Sequence, residues 1–237
     1  MTDKLDCLAL GAHPDDVEVG AGGVLVKLSQ LGYSTGLAVL TRGEMGTGGT
    51  AEEREAEIHR AAGIMGARVV ATLDLGDTRL ADTPEQRMQV AALYRRTRPR
   101  MVLAPYFRGG HGQRASHPDH LAAGNLAMNA VPYAALAKID LPGDPYQVPA
   151  LFHYFLPPEV MPTFVVDITE QFDTWIASLK AHATQFQNPS KPRDYIWFLE
   201  SRARHFGSLI GVKYGQGFAA AEPINVRDPM NLVAAWA

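Results

Sequence analysis

The chain has 237 residues, of which 46% are hydrophobic and 20% are charged, as is typical of a soluble globular protein. Its formal net charge is −3, so we expect neither nucleic acid nor an anionic membrane as a partner. The length suits one large α/β domain, and we interpret residues 1–237 as a single domain.

The N-terminal residues and the cysteine usage predict a cytoplasmic protein. Residues 1–6 carry acidic side chains where a signal peptide would carry basic ones, and no apolar core of signal length follows them. No run approaches the roughly 20 apolar residues that a membrane span needs. Cys7 is the only cysteine, so no internal disulfide can form, which agrees with a reducing compartment.

Apolar strands alternate with amphipathic helices along the first half of the chain. The predicted strands lie at 5–10, 35–40, 68–73 and 101–104, and the predicted helices at 20–31, 52–65, 84–96 and 118–130. Further strands are predicted at 151–156 and 163–166, and further helices at 168–186 and 195–209. The alternation predicts an α/β fold with a Rossmann-like, mostly parallel sheet that is flanked by helices.

The topology predicts where a ligand binds. In an open α/β sheet, ligands bind beyond the carboxyl ends of the strands, at the point where the strand order reverses. With a strand order of 3-2-1-4-5, strands one and four are neighbours at that point. The loops that follow these two strands, at 11–18 and 105–120, are both rich in His and Asp. We therefore predict the active site at the carboxyl ends of strands one and four.

The two loops contain the side chains that a catalytic metal needs. Together they carry His13, Asp15, Asp16, His117, Asp119 and His120. A catalytic zinc takes three N or O ligands and keeps one position open, and one His and one Asp from the first loop with one His from the second supply such a set. Asp119 is a candidate to accept a hydrogen bond from a ligating His. A further carboxylate beside the metal can act as a base in amide hydrolysis.

Each motif taken alone also has a simpler explanation. Asp15 and Asp16 can stabilise the start of the following helix, and His117 can cap the helix that begins at Pro118. Two adjacent carboxylates beside clustered histidines repel each other unless a cation offsets their charge. The occurrence of both loops at the predicted binding point therefore favours a metal centre.

The paired motifs also resemble those of a known family. Residues 12–18, Ala-His-Pro-Asp-Asp-Val-Glu, with 117–120, His-Pro-Asp-His, resemble the signature of the LmbE-like, or PIG-L-type, zinc de-N-acetylases. Residues 202–218 are similar to the bacillithiol-pathway branch, whose members remove acetate from N-acetylglucosaminyl-malate. The resemblance implies this reaction. The alternatives are a deacetylase or amidase of another amino-sugar conjugate, of mycothiol or chito-oligosaccharide type, and a metal-binding protein without catalysis.

The resemblance implies roles for individual residues of the two loops. His13, Asp16 and His120 match the zinc ligands, although a site of His and carboxylate ligands also accepts ferrous iron. Asp15 matches the general base. His117 matches the residue that stabilises the oxyanion or protonates the leaving amine.

Other implied residues concern the substrate, which we expect to be a small amino sugar. Arg54 matches a substrate-binding arginine and Tyr195 a mobile tyrosine near the mouth of the site. Relatives often place an arginine directly before the second motif, where this chain has Ser116 and carries Arg114 two residues earlier. Relatives also often carry an arginine near the position of Gln147. These departures weaken the malate assignment more than the deacetylase assignment.

Three further features are open at the level of sequence. Asp74 and Asp77 follow the third strand, where they either reach sugar hydroxyls or solvate a turn. His182 falls within a predicted helix and is interpreted as structural. The family resemblance suggests a homo-oligomer, for which the apolar residues 230–236 are a candidate interface.

Overall fold

A computed structural model describes residues 3–109, 117–187, 194–226 and 228–232. Within them, seven strands form one sheet in the order β3-β2-β1-β4-β5-β7-β6. The strands are β1 (Cys7–Gly11), β2 (Thr35–Val39), β3 (Arg68–Thr72), β4 (Met101–Pro105), β5 (Leu151–Tyr154), β6 (Phe164–Asp167) and β7 (Gly215–Ala220). The helices are α1 (Asp16–Gln30), α2 (Ala51–Met65), α3 (Pro84–Thr97), α4 (Pro118–Ala135), α5 (Phe172–Lys180), α6 (Ala183–Phe186) and α7 (Tyr195–Leu209), with a final 3-10 turn at Pro229–Leu232.

The predicted α/β fold is confirmed. Strands β1 to β5 pair in parallel in the order 3-2-1-4-5, which places β1 beside β4 at the point where the order reverses. Strand β7, which was not predicted, pairs antiparallel with both β5 and β6 and extends the sheet beyond the parallel part. The carboxyl ends of β1 and β4 therefore open at the same edge.

The sheet is covered by helices on both faces, and this explains its continuous apolar strands. Alternate side chains of β1 point to opposite faces, so Cys7 and Ala9 join one buried cluster while Leu8 and Leu10 join the other. The first cluster includes side chains from α1, α5 and α7, and the second includes side chains from α3 and α4. A strand that is buried on both faces has no polar side.

The helix boundaries differ from the prediction chiefly at three places, one of which is the end of α4, at Ala135 rather than 130. Helix α1 begins at Asp16 rather than Gly20. Acidic residues in its first turn stabilise this earlier start, and the glycines at 20, 22 and 23 weaken the helical pattern in the sequence. The predicted helix at 168–186 is divided into α5 and α6. The start of α2 agrees with prediction, since Thr50 and Glu53 form a reciprocal capping box.

The described part of the chain contains no helix with the length and apolar character that a bilayer crossing requires.

Gly20 is expected to be essential for the contact between α1 and β5. A Cβ atom at Gly20 would overlap the ring of Tyr154, a fully buried side chain whose hydroxyl donates to the carbonyl of Leu10 at 2.6 Å. Gly20→Ala should therefore lower the free energy of unfolding by about 1–3 kcal/mol, as overpacking does. The measurement is urea denaturation followed by circular dichroism.

Gly63→Ala is the matched control on the exposed face of α2, where an added Cβ meets nothing within 4 Å. It should raise the free energy of unfolding by about 0.5–1 kcal/mol, because alanine favours a helix more than glycine does. Equal effects of the two substitutions would contradict the close contact at Gly20.

Candidate metal centre

Three predicted ligands come together at the edge where β1 and β4 end. His13, Asp16 and His120 each offer one ligand atom, and these atoms lie within 4.8 Å of one another. Asp16 Oδ1 is 3.0 Å from His120 Nε2, and Asp16 Oδ2 is 3.5 Å from His13 Nδ1. All three residues are buried. Two imidazoles and one carboxylate in this arrangement form a donor set that suits a divalent metal.

The loop after β1 holds the Asp16 carboxylate by a hydrogen bond and strains the backbone of the adjacent Asp15. The backbone N–H of His13 donates to Asp16 Oδ2 at 2.8 Å, which fixes the Asp16 side chain beside the histidine. Asp15 adopts a φ of 126°, a region that a residue with a side chain rarely occupies. Such strain persists only where the surrounding structure imposes it, and it is common at functional sites.

Asp15 lies beside the cluster and is held by Arg54. Arg54 Nη2 is 3.3 Å from Asp15 Oδ1, and the guanidinium also donates to the backbone carbonyls of Pro14 and Gly43, at 2.7 Å and 2.9 Å. Arg54 is only 4% exposed, so much of its hydrogen bonding is used within the protein. The arginine expected to bind substrate therefore also orients the expected base.

The environment of Asp15 favours proton acceptance. Burial raises the pKa of the Asp15 carboxyl above its usual range, the charge of Asp16 adds to this, and Arg54 acts in the opposite direction. A carboxylate with a raised pKa is a stronger base than one that is exposed to water.

The second nitrogen of His13 faces two more carboxylates. His13 Nε2 is 3.3 Å from Asp119 Oδ2 and 3.2 Å from Asp77 Oδ1. Asp119 is itself held by the backbone N–H of Thr78 at 2.7 Å, and Asp77 accepts from the N–H of Met45 at 2.9 Å. Carboxylates in these positions orient a ligating imidazole and increase its basicity.

Asp119 thus lies where sequence reasoning expected it, while the contact of Asp77 with His13 was missed. Asp77 follows β3, which is separated from β1 by β2, so the strand order gave no reason to expect the contact. Its position at the carboxyl end of a strand was the only available signal. Asp74 is exposed and is absent from the lining of the cavity.

His117 lies at the rim of the cluster and caps helix α4. Its ring centroid is 4.9 Å from that of His13, and its Nδ1 accepts from the backbone N–H of Asp119 at 3.3 Å. His117 therefore does cap α4, as the simpler explanation of its motif required. Burial, with the charges of His13 and His120, lowers the pKa of the His117 imidazole. A ring that accepts at Nδ1 and is neutral carries its hydrogen on Nε2.

The electrostatics of the cluster favour a cation. Although burial acts against it, the Asp16 hydrogen bond and the charges of Asp16, Asp15 and Asp77 raise the pKa of His13 to about 9. Against the effect of burial, His120 and His13 hold the pKa of the Asp16 carboxyl well below its usual range. In the absence of a metal, protons on the imidazoles compensate the negative charge of the carboxylates, and a divalent cation would replace these protons. The residues present therefore fit a metal.

A cavity of about 480 Å³ opens over the cluster. Phe155, Phe186 and Tyr195 line it together with the residues of the two loops. Its volume is in the range of small-molecule sites. Arg114, expected to bind substrate, lies outside the described residues, as do 233–237 of the apolar C-terminal segment.

Comparison with known proteins identifies related sequences and structures. The sequence profile of the family PIG-L, described as GlcNAc-PI de-N-acetylase, matches residues 8–131. The crystal structure of the conserved protein TT1542 from Thermus thermophilus is similar, with a TM-score of 0.85 and 39% identity over 98% of this chain and 99% of that one.

Two curated relatives differ in substrate. The diacetylchitobiose deacetylase of Thermococcus kodakarensis is 31% identical over 91% of this chain and 82% of its own length. The 1D-myo-inositol 2-acetamido-2-deoxy-alpha-D-glucopyranoside deacetylase of Thermobifida fusca is 28% identical over 61% of this chain and 60% of its own. Neither name refers to a malate conjugate, so the bacillithiol branch is not established by these relatives.

The metal ligands can be separated from the rim histidine by substitution. A second group, from His13, His117 and Asp119, also has ligand atoms within 4.8 Å of one another, but His117 is exposed. We expect His120→Ala to lose zinc and His117→Ala to retain it, measured as the metal-to-protein ratio after zinc loading and dialysis. Zinc retained by His120→Ala and lost by His117→Ala would assign the metal to the second group instead.

Proposed function

The chain belongs to the PIG-L family of GlcNAc-PI de-N-acetylases, and on this premise we propose that it hydrolyses the acetamide of an N-acetylglucosamine-containing small molecule. The observation that carries the proposal is the position of the Asp15 carboxylate beside the metal ligands. This carboxylate lies in the same cavity as the ligand cluster but pairs with Arg54, at 3.3 Å. A protein that only stored a metal would have no use for a strained, half-buried carboxylate beside its ligands.

The proposed metal is zinc, with ferrous iron as the alternative, held by His13, Asp16 and His120. When bound, such a cation polarises the amide carbonyl and lowers the pKa of water. Asp15 accepts the proton of the attacking water and returns it to the amine as the C–N bond breaks. Arg54 keeps the Asp15 carboxylate oriented towards the cavity, and Asp77 and Asp119 orient His13.

His117 is proposed to act on the other side of the amide. Its Nδ1 is occupied by the cap of α4, so Nε2 is the nitrogen that carries the hydrogen. From the rim of the cavity, Nε2–H can donate to the carbonyl oxygen as negative charge develops there, or to the leaving amine. A donor that is aimed at a developing oxyanion contributes on the order of 3 kcal/mol to transition-state stabilisation. The cap at Nδ1 and the lowered pKa of His117 both favour a neutral imidazole.

For the substrate, we propose N-acetylglucosaminyl-L-malate. The support is the similarity of residues 202–218 to the bacillithiol-pathway branch. Chitobiose-type and inositol-type conjugates are the alternatives, since the named relatives act on them. All three share the acetamido sugar and differ in the attached group.

The substrate proposal is tested with four acetylated compounds. Metal-stripped protein, with and without added zinc, is incubated with N-acetylglucosaminyl-malate, the inositol conjugate, diacetylchitobiose and free N-acetylglucosamine, and released acetate is measured. We expect zinc-dependent release with the malate conjugate strongly preferred. Release from the others alone would keep the chemistry and reject the malate assignment. No release from any of them, with zinc bound, would reject the deacetylase.

The role of Asp15 is tested by Asp15→Asn, which keeps the size of the side chain and removes its basicity. We expect kcat to fall by about a hundredfold or more while zinc binding is retained, because general-base catalysis contributes on that scale. Asp74→Asn is the control, as Asp74 is exposed and away from the cavity lining. If Asp15→Asn lost the zinc and Asp16→Asn kept it, the roles of ligand and base would be the reverse of those proposed.

A further inference from the structure

A second, smaller pocket lies next to the catalytic cavity. Its volume is about 40 Å³, and Val19, Phe155 and Tyr195 line both spaces. The side chains that complete the wall of the small pocket are largely apolar: Trp175, Phe198, Leu199, Ala203 and Phe206. One water needs roughly 10–15 Å³ measured with a water-sized probe, so the pocket has room for two or three carbon atoms.

The wall between the two spaces stands beside the reacting groups. The ring of Phe155 lies 5.1 Å, centroid to centroid, from the ring of the ligand His120. Val19 follows the base by one helical turn, and its backbone N–H donates to the carbonyl of Asp15 at 2.9 Å. An amide that reaches the metal ligands and Asp15 therefore has its acyl carbon close to this wall.

Phe155 is the residue in this wall with an unusual backbone. Its φ is +60°, in the left-handed region that a bulky side chain rarely adopts. The ring packs edge-on against Tyr154, with centroids 4.6 Å apart. Because φ directs the Cβ of Phe155, the strained backbone holds the ring between the cavity and the pocket, and such strain is common where function requires it.

Two polar side chains of the pocket are hydrogen-bonded to backbone groups. Arg202 Nη2 donates to the carbonyl of Leu156 at 3.0 Å, and Gln216 Oε1 accepts from the N–H of Val24 at 2.9 Å. Gln216 Nε2 is buried and has no hydrogen-bond partner among the described residues. A water on this nitrogen is therefore the competing occupant of the pocket.

We propose that Phe155 separates the catalytic cavity from an apolar pocket into which an acyl chain longer than acetyl would extend, and that this ring thereby restricts the enzyme to acetyl groups. The inference rests on the proposed deacetylase function. With the wall opened, a longer N-acyl chain enters the pocket while the same bond is hydrolysed. Water supplies the hydroxyl of the released carboxylic acid and the hydrogen of the released amine, and no other reactant is needed.

The test compares N-acetyl and N-butyryl forms of the substrate that the wild type hydrolyses best. The readout is the ratio of kcat/KM for butyryl to that for acetyl, so that a general loss of activity cancels. Burying one methylene changes binding by about fourfold, and butyryl has two more than acetyl. We expect Phe155→Ala to raise the ratio at least tenfold.

Two further variants keep the test decisive. Phe155→Gly removes the ring at a φ that suits glycine, so it should fold if Phe155→Ala does not, and it should raise the ratio equally. Ala203→Leu in the Phe155→Ala background refills the pocket from α7 and should return the ratio towards that of the wild type.

Phe186→Ala is the matched control, because Phe186 lines the catalytic cavity but not the small pocket. It should change the ratio by less than twofold. An unchanged ratio in Phe155→Ala or Phe155→Gly, with acetyl hydrolysis intact, would overturn the proposal and indicate a pocket that holds only water at Gln216. Absence of acetyl hydrolysis in the wild type would instead reject the proposed function.

Discussion

Four carboxylates and three imidazoles crowd one small region of this protein, and the repulsion between the carboxylates is the constraint on which the rest of the site depends. Asp16 contacts both His13 and His120, while Asp77 and Asp119 face the other side of His13. Such a group is unfavourable in a buried position unless positive charge accompanies it. A divalent cation meets this requirement and also leaves Asp15 available, paired with Arg54, for proton transfer.

The parallel sheet makes this concentration of charge possible. The carboxyl ends of β1 and β4 open side by side, and backbone N–H groups of the loops after β1 and β3 hold Asp16 and Asp119 in place. A rigid edge between two helical layers fixes the ligands with little freedom for them to move apart. At the same edge, Phe155 lies next to the ligand His120 and lines the small apolar pocket. The groups that bind the metal and the ring that selects the acyl chain are therefore neighbours.

The features that could be predicted from the sequence are those with a local or repeated sequence pattern. Apolar strands that alternate with capped helices predicted a parallel sheet, and the order 3-2-1-4-5 that was assumed for it, and that the structure shows, brings the two His/Asp loops to one edge. Strand β7 was missed because its sequence, Gly-Gln-Gly-Phe-Ala-Ala, has two glycines and little apolar alternation, and its pairing is long-range. The contact of Asp77 with His13 and the positive φ of Phe155 arise from tertiary structure, which a single sequence does not display.

The central claim is that the metal occupies the space between His13, Asp16 and His120 and that Asp15 is not one of its ligands. Anomalous diffraction at the zinc absorption edge, from a crystal of the zinc-loaded protein, tests it most directly. The account predicts one peak within about 2.0–2.2 Å of an imidazole nitrogen of His13, an oxygen of Asp16 and a nitrogen of His120, with Asp15 beyond bonding distance. A peak coordinated by His117 and Asp119, or by Asp15, would contradict it.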